Sequence, residues 1–361
     1  MAEKKEKVVK TTKTVTTTTT TTTTVKKQSW WQSLKKGAKT AIIAGAAVVV
    51  IVGVLLIIFG RAKSISSSME NTIAKDGKVF FNRFASPSQG DVLVFRHPET
   101  DSVVPSAPDK NYYKMCRMYG PAWCSKSDVV TQKLRKRPIY LSRVYGTPGS
   151  IIEIKDNEVY VNNQKVEAPE TAKYPYFVVN ERLMSNKTLD SLGIKKEDMS
   201  GEEDYAETYL SIYREKVAAN AGLAIYCLND NSASKLEKHS VFSRIEKIVL
   251  PKDLFEPTVF PYQEKKHWNQ SNLGPVMVPQ KGKILKLNSN TIALYRRCIE
   301  AYENNKVEVN GDVILINGQQ TDSYKFKRDY YYVIGDNRSS KDDSRYFGFL
   351  PDNHIVGVAC E

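Results

Sequence analysis

The sequence is poor in cysteine, with five in 361 residues, and three of these show no spacing typical of metal ligands (Cys227, Cys298 and Cys360). A cysteine-based metal site is therefore not expected, and buried thiols are the simpler interpretation of these three positions. The other two, Cys116 and Cys124, enclose a short loop that could close as a disulfide in an oxidising compartment.

Excess positive charge is scarce outside the N-terminal tail. The chain carries a net charge of +13, of which residues 1–39 supply +8, from ten lysines against two glutamates. Only +5 remains for everything that follows. A nucleic-acid-binding protein would show its basic excess on the folded domain, so nucleic acid is excluded as the expected partner.

Charge is absent from residues 40–59, and no second apolar run of that length follows. Twenty helical residues at ~1.5 Å each span the ~30 Å hydrocarbon core of a bilayer, which predicts one transmembrane helix, placed at 40–60. The run is longer than the ~7–15 apolar residues of a cleaved signal peptide, so we expect an anchor that stays. The basic side should remain cytoplasmic, with the rest of the chain across the membrane.

Low complexity marks the tail at 1–39, which includes nine consecutive threonines and should be disordered or weakly extended. Strand-like segments occupy 91–96, 138–146, 150–154 and 158–163. The stretch 306–320 repeats the pattern of 151–165, and each contains a turn between alternating strands. We therefore expect a β-rich core formed by 61–165 and 301–361.

The region 166–300 differs in character and is expected to be an inserted α+β subdomain. Helix-like spacing occurs at 202–222 and again at 290–305, whereas 251–284 is proline-rich and irregular.

Three separated segments carry the candidate chemistry: SSSMENTI (66–73), YLSRVYGTPGS (140–150) and IGDNRSSKDDSRYFGFLP (334–351). Together with GDVLVF (90–95) and the preceding apolar run, they resemble type I signal peptidases, the membrane-bound serine endopeptidases of protein export. The resemblance covers about 64–165 and 305–361, and its most specific part is GDNRxxxxDSRYxG. It implies a mainly β catalytic core of the signal-peptidase type, here with an inserted α+β subdomain and preceded by one transmembrane helix.

The resemblance implies roles for individual residues. The nucleophile of the family precedes a methionine and lies four residues before a threonine, which selects Ser68, with Met69 as its neighbour. Ser66 matches the position whose hydroxyl helps the nucleophile's own N–H to stabilise the oxyanion. The ion-pair positions that hold the catalytic loop correspond to Arg143, Asp336, Asp343 and Arg345.

Two positions depart from the family pattern. Asn71 stands where relatives usually have proline. More seriously, Ser142 occupies the position of the lysine that acts as the general base, while Lys341 occupies that of a serine that orients this lysine. The exchange suggests that Lys341 delivers its amine to Ser68 from the opposite wall, with Ser142 as its partner.

Two other interpretations of the missing base stay open. Lys341 could be a protonated loop lysine paired with the neighbouring carboxylates, in which case the fold persists without activity. A histidine base, as in endoplasmic-reticulum relatives, finds no support at position 142, because the histidines are elsewhere (His97, His239, His267 and His354).

The resemblance implies cleavage of signal peptides from exported preproteins at the outer face of the bacterial inner membrane, without a metal or organic cofactor. Membrane lipid, the secretion translocon and an active paralogue are the other expected partners. One alternative is a catalytically silent signal-peptidase-like subunit that binds preproteins or the paralogue. Another is a peptidase dedicated to one pilus or surface protein.

Overall fold

The chain divides into two compact units, residues 1–58 and 59–361. The structure is a computed structural model, and it describes residues 7–10, 21–24, 31, 34–63, 65–108, 110–120, 123, 128–180, 185–195, 198 and 222–360.

In the first unit, two short strands of the tail pair antiparallel: β1 (Lys7–Lys10) and β2 (Thr21–Thr24). Valine and threonine are β-branched and favour extended backbone, so these eight residues take the extended form rather than the disordered one. Most of the remaining tail lies outside the described residues.

Helix α1 (Lys36–Ile58) contains the apolar run except Phe59, and none of the helix residues is buried. It begins before the predicted start at Thr40, and it ends at Ile58 because Phe59 already belongs to a strand. The helix is long and apolar enough to cross a membrane by length and composition.

The second unit is mainly β, as predicted. Its strands are β3 (Phe59–Lys63), β4 (Lys78–Asn82), β5 (Val92–Arg96), β6 (Ser102–Val103), β7 (Val130–Thr131), β8 (Ile139–Gly146), β9 (Ile151–Lys155), β10 (Glu158–Val161), β11 (Gln164–Val166), β12 (Tyr174–Asn180), β13 (Gly222–Leu228), β14 (Phe242–Lys247), β15 (Leu273–Met277), β16 (Ile284–Lys286), β17 (Val307–Asn310), β18 (Val313–Ile316), β19 (Gln319–Gln320), β20 (Ser323–Lys325), β21 (Tyr330–Ile334), β22 (Leu350–Pro351) and β23 (Ile355–Ala359). The described α-helices of this unit are short: α2 (Tyr112–Tyr119), α3 (Asn186–Ser191), α4 (Asp230–Glu237), α5 (Ser289–Arg297) and α6 (Ser344–Phe347).

A seven-stranded antiparallel sheet, in the order β22-β21-β8-β5-β23-β4-β3, forms the centre of this unit. Strand β5 lies inside the sheet and is apolar on both faces. Val92 and Val94 pack on one side with Leu141, whereas Leu93 and Phe95 pack on the other. This explains why VLVF is a continuous apolar run rather than an alternating one.

The repeated hairpin predicted from sequence is present in both copies, as β9–β10–β11 and β17–β18–β19. In each copy an asparagine side chain accepts a hydrogen bond from a residue at or just before the start of the first strand: Ile151 N–H donates to Asn162 Oδ1 at 2.9 Å, and Lys306 N–H donates to Asn317 Oδ1 at 2.8 Å. Both asparagines have positive φ (50° and 53°), a conformation that asparagine tolerates. The internal likeness of the two sequences therefore reflects a common turn chemistry.

Residues 166–300 contribute to two different cores. The sheet β13-β12-β14 forms its own cluster with α3 and α4, around Tyr174, Val178 and Leu228. The later part joins the main core, since Val259 and Ile299 pack in the same cluster as Tyr145.

The helix expected at 202–222 lies outside the described residues up to Gly222, which begins β13. The helix expected at 290–305 is confirmed as α5 followed by a π-helical turn, Cys298–Tyr302.

The cysteines agree in part with expectation. Cys227 and Cys298 are buried free thiols, whereas Cys360 is free and exposed, so the expectation of burial is wrong there. Cys116 is disulfide-bonded, and Cys124 lies outside the described residues.

Candidate active site

The serine predicted as nucleophile, Ser68, lies in a tight turn that follows β3. Glu70 N–H donates to Ser67 O at 3.0 Å, and Ile73 N–H donates to Met69 O at 2.7 Å. The Met69 side chain is 1% exposed and packs against Val92, Val94 and Leu141 of the central sheet. Met69 therefore fixes the turn to the sheet and sets the position of the serine before it.

Asn71, which replaces the proline of relatives, has φ 83°. Proline is restricted to φ near −65° and could not adopt this conformation, whereas asparagine enters the left-handed region readily. The departure from the family pattern thus matches the local backbone.

The loop that begins at Gly335 holds this turn from the other side. Asn337 N–H donates to Ser68 O at 2.8 Å, and Asn337 Nδ2 donates to Ser67 O at 3.3 Å. Asp336, which is fully buried, accepts from Thr72 Oγ1 at 2.6 Å and from Arg143 Nη2 at 2.7 Å. All three motifs, which are far apart in sequence, therefore meet at this point.

A second buried ion pair stabilises the end of the same loop. Arg345 Nη2 lies 2.8 Å from Asp343 Oδ2, with side-chain exposures of 4% and 0%. Asp343 also accepts from Gly335 N–H at 3.0 Å, and Arg345 Nη2 donates to Ser340 O at 3.0 Å. These bonds connect the two ends of the loop and hold its backbone beside Ser68.

The hydroxyl of Ser68 is fully buried and donates to Leu141 O at 2.5 Å. Ser142, at the position of the expected lysine, is also fully buried and donates from Oγ to the same carbonyl at 2.7 Å. A backbone carbonyl accepts a hydrogen bond but cannot remove the proton, so this contact orients Ser68 without activating it.

Ser66 lies where the resemblance places an oxyanion donor, and it makes two contacts that bear on that role. Ser68 N–H donates to Ser66 Oγ at 3.1 Å. The Ser66 hydroxyl donates in turn to Asp342 Oδ2 at 2.8 Å. The candidate oxyanion donors therefore form a chain of hydrogen bonds that ends at the Asp342 carboxylate. The sequence did not suggest the contact between Ser66 and Asp342.

Lys341 and Asp342 both line a cavity of about 50 Å³; the lining also comprises His97, Glu99, Asn111, Lys114, Arg117, Thr258, Tyr346 and Phe347. Ser68, Ser66 and Ser142 are not among these lining residues. In the loop, Asp342 thus contacts the serines through Ser66, and Lys341 is its immediate neighbour.

His97 is a buried residue of this cavity that sequence reasoning set aside. Its ring lies between Tyr140 and Phe347, at centroid distances of 4.7 and 4.9 Å. Its Nδ1 accepts from Glu99 N–H at 3.2 Å. Burial lowers the pKa of His97, an effect that Asp342 and Glu99 oppose. The only signal in the sequence was its position directly after the predicted strand 91–96.

Arg338 and Lys173 are two further buried charges that sequence reasoning missed. Arg338 Nη2 donates to Tyr145 OH at 2.6 Å, and its guanidinium lies over the rings of Tyr145 and Tyr174. The Lys173 backbone pairs with the loop, since Lys173 N–H donates to Asp336 O at 2.8 Å and Arg338 N–H donates to Lys173 O at 2.8 Å. Residues 173–174 are thus joined directly to the loop that holds Ser68.

A larger cavity of about 440 Å³ lies beside the nucleophile turn; it is lined by Glu70, Asn71, Ala74, Thr171, Lys173, Gly193, Lys195, Asp198, Cys227, Leu228, Asn229 and Ser232. Lys173 and Asp198 form a buried ion pair within this lining. Among the described residues, no group of three His, Cys, Asp or Glu side chains could hold a metal ion.

Comparison with known proteins points to one family. A family model described as "Signal peptidase, peptidase S26" matches residues 36–234 and 278–360, which is most of the chain. Signal peptidase I of Haemophilus influenzae is 45% identical over 42 residues, which is 12% of each chain. Signal peptidase I of Leptolyngbya laminosa is 30% identical over 108 residues, which is 26% of this chain and 53% of the relative. The matched regions therefore span about half or less of these relatives.

Proposed function

Since the chain belongs to the signal peptidase S26 family, we propose that it is a membrane-anchored serine endopeptidase that removes signal peptides from exported preproteins. The observation that carries the proposal is the docking of the serine turn on the Gly335 loop, through Asn337 N–H to Ser68 O at 2.8 Å. This contact supports the proposal because it joins Ser68, in the first of the three motifs, to the third.

In the proposed reaction, Ser68 Oγ attacks the carbonyl carbon of the scissile bond, the C–N bond breaks, and the new amino terminus leaves with the proton that the base took from Ser68. Water then hydrolyses the acyl-enzyme by giving a proton to the base, which returns it to Ser68 Oγ. Ser68 N–H and the Ser66 hydroxyl stabilise the negative charge that develops on the carbonyl oxygen. For the attack, the Ser68 hydroxyl must break its hydrogen bond to Leu141 O and give its proton to a base. Lys341 is the proposed base, since it lies next to Asp342, which already contacts Ser66.

The edge of β8 is the proposed place for the substrate backbone. Ile139–Ser142 pair with β5, whereas β21 pairs with β8 from Arg143 onward. Among the described residues, no strand pairs with the other side of β8 at 139–142, a segment that includes Leu141, whose carbonyl accepts from Ser68 Oγ. An extended peptide added there would bring a scissile bond to Ser68. Strand addition of this kind supplies affinity through backbone hydrogen bonds and selectivity through side-chain pockets.

We further propose that α1 anchors the chain in the bacterial inner membrane, with the basic tail cytoplasmic and residues 59–361 on the outer side. The support is the length and composition of α1 together with the lysines that precede it. Lipid and the secretion translocon are then the expected partners besides the preprotein.

The test is cleavage of a preprotein in liposomes by the wild type, Ser68→Ala and Lys341→Ala, with product masses recorded. Cleavage at one defined bond by the wild type, lost in both variants, is expected. Cleavage that persists in Lys341→Ala would overturn the assignment of the base but keep Ser68 as nucleophile. Cleavage that persists in Ser68→Ala would overturn the nucleophile.

A second candidate function is a silent subunit that binds preproteins or an active paralogue. The observation that favours it is that the hydroxyls of Ser68 and Ser142 both donate to Leu141 O. Ser142 also stands at the position of the lysine that the resemblance leads one to expect. The variant Ser142→Lys/Lys341→Ser restores the family arrangement. If this variant cleaves and the folded wild type only binds preprotein, the silent function is correct.

A further inference from the structure

The candidate oxyanion donors are engaged with each other and with a carboxylate. Ser68 N–H donates to Ser66 Oγ at 3.1 Å, and Ser66 Oγ lies 2.8 Å from Asp342 Oδ2. An ionised carboxylate only accepts hydrogen bonds, so the proton of this second bond belongs to Ser66. Donation in this chain of hydrogen bonds therefore runs in one direction, from Ser68 through Ser66 to Asp342.

This direction conflicts with oxyanion stabilisation. A serine hydroxyl has one proton to donate, and a proton given to Asp342 cannot also be given to a substrate oxyanion. The N–H of Ser68 points at Ser66 in the same arrangement. From this we infer that Asp342 is a positioning residue that holds the oxyanion donors in an unproductive state. The inference rests on the proposed function, in which Ser68 is the nucleophile and Ser66 a donor.

The structure also provides a place for the Asp342 side chain when it leaves Ser66. Asp342 lines the cavity of about 50 Å³ that also contains Lys114, Arg117 and Lys341. Each water-sized group needs ~10–15 Å³ of such space, so about 50 Å³ has room for the three heavy atoms of a carboxylate. Glu99 also lines the cavity and is paired with Arg117 at 2.8 Å, so the cation that favours a second negative charge there is Lys114. Rotation of Asp342 into the cavity would free the Ser66 hydroxyl for the substrate.

The proposal predicts a gain of function on removal of the charge. In Asp342→Asn the shape is kept, and the amide can donate to Ser66 Oγ, which leaves the Ser66 proton for the oxyanion. Loss of one oxyanion donor costs ~10²–10³ in rate, so recovery of one should raise kcat by up to about 10²-fold with KM little changed. A base role for Asp342 predicts the opposite, a loss of kcat.

The decisive measurement is equilibrium binding of a peptide boronic acid, because it does not depend on turnover. Ser68 Oγ bonds to boron, its proton goes to solvent, and boron becomes tetrahedral and negatively charged beside the oxyanion donors. Asp342→Asn should bind at least about tenfold more tightly than the wild type, and Ser66→Ala should abolish the difference. Asp312→Asn, an equal change of charge at an exposed turn, is the control.

The outcomes separate this inference from the function on which it rests. Equal or weaker boronate binding by Asp342→Asn, while the wild type forms the adduct, would overturn the role of Asp342 alone. No adduct in any folded variant, Ser142→Lys/Lys341→Ser included, would overturn Ser68 as nucleophile and the inference with it. Tighter binding together with higher kcat and unchanged KM would support both.

Discussion

Gly335 has no room for a side chain, and the atom that excludes one belongs to the candidate nucleophile. A Cβ at this position would lie 2.5 Å from Ser68 O and 3.1 Å from Ser68 Cβ. Ordinary contact begins at 3.4 Å, so Gly335→Ala requires a separation of about 0.9 Å between the loop and the turn. A misplacement of about 1 Å at a reacting group costs ~10²-fold in rate. We therefore expect kcat for preprotein cleavage to fall by about that factor.

Gly357→Ala is the matched control, because a Cβ there also lies 2.5 Å from a backbone carbonyl, that of Asn82. Overpacking of this kind costs roughly 1–3 kcal/mol of the free energy of unfolding, and both variants should show it in urea denaturation. Only Gly335→Ala should lose cleavage or boronate binding beyond its loss of folded protein. Equal kcat in Gly335→Ala and Gly357→Ala would refute the claim that the loop positions Ser68.

Two further predictions concern buried ionisable side chains. Arg345→Leu leaves the Asp343 carboxylate buried without its cation, so the free energy of unfolding in urea should fall by about 3–5 kcal/mol. Arg328→Leu is the control: it removes a half-exposed ion pair and should lower the free energy of unfolding by under about 1 kcal/mol. Equal losses in the two variants would contradict this account. Burial and, secondarily, Arg137 lower the pKa of His354 to about 3 in the folded protein. Protonation of His354 therefore favours unfolding, and the stability that is present above about pH 6.5 should be lost as the pH falls towards 3. The slope should be at most about 1.4 kcal/mol per pH unit, and His354→Gln, which keeps an acceptor, should flatten it; an unchanged slope would show that His354 does not titrate as stated.

Much of the fold was predictable because strand signals are local. The run VLVF and the repeated hairpins each carry their own pattern and turn residues, and the corresponding strands lie within one or two residues of the expected bounds. The packing of 166–300 was not predictable in this way. Val259 and Ile299 join the main core through contacts across more than a hundred residues, and no local pattern records such contacts.

The candidate site was predictable as a set of motifs but not as a set of contacts. The resemblance to the family selects Ser68, and the structure brings it to Asn337 and Leu141. The buried residues around it, such as His97 and Lys173, lie outside the motifs and have no distinctive neighbours in sequence. Their proximity follows from strand pairing, which a single sequence does not specify.

The side chain that lies beside the serines cannot be predicted by counting positions along the sequence. Lys341 and Asp342 are adjacent residues in an irregular loop, where side chains follow no period of 2 or 3.6. Position matching selects Lys341, whereas the hydrogen bond to Ser66 is made by Asp342. A rotation of this loop by one residue would exchange a carboxylate for an amine beside the serines. Because Lys341 is the proposed base for Ser68 whereas Asp342 holds the Ser66 proton, the paired variants Lys341→Ala and Asp342→Asn should change kcat in opposite directions, a loss for the first and a gain for the second.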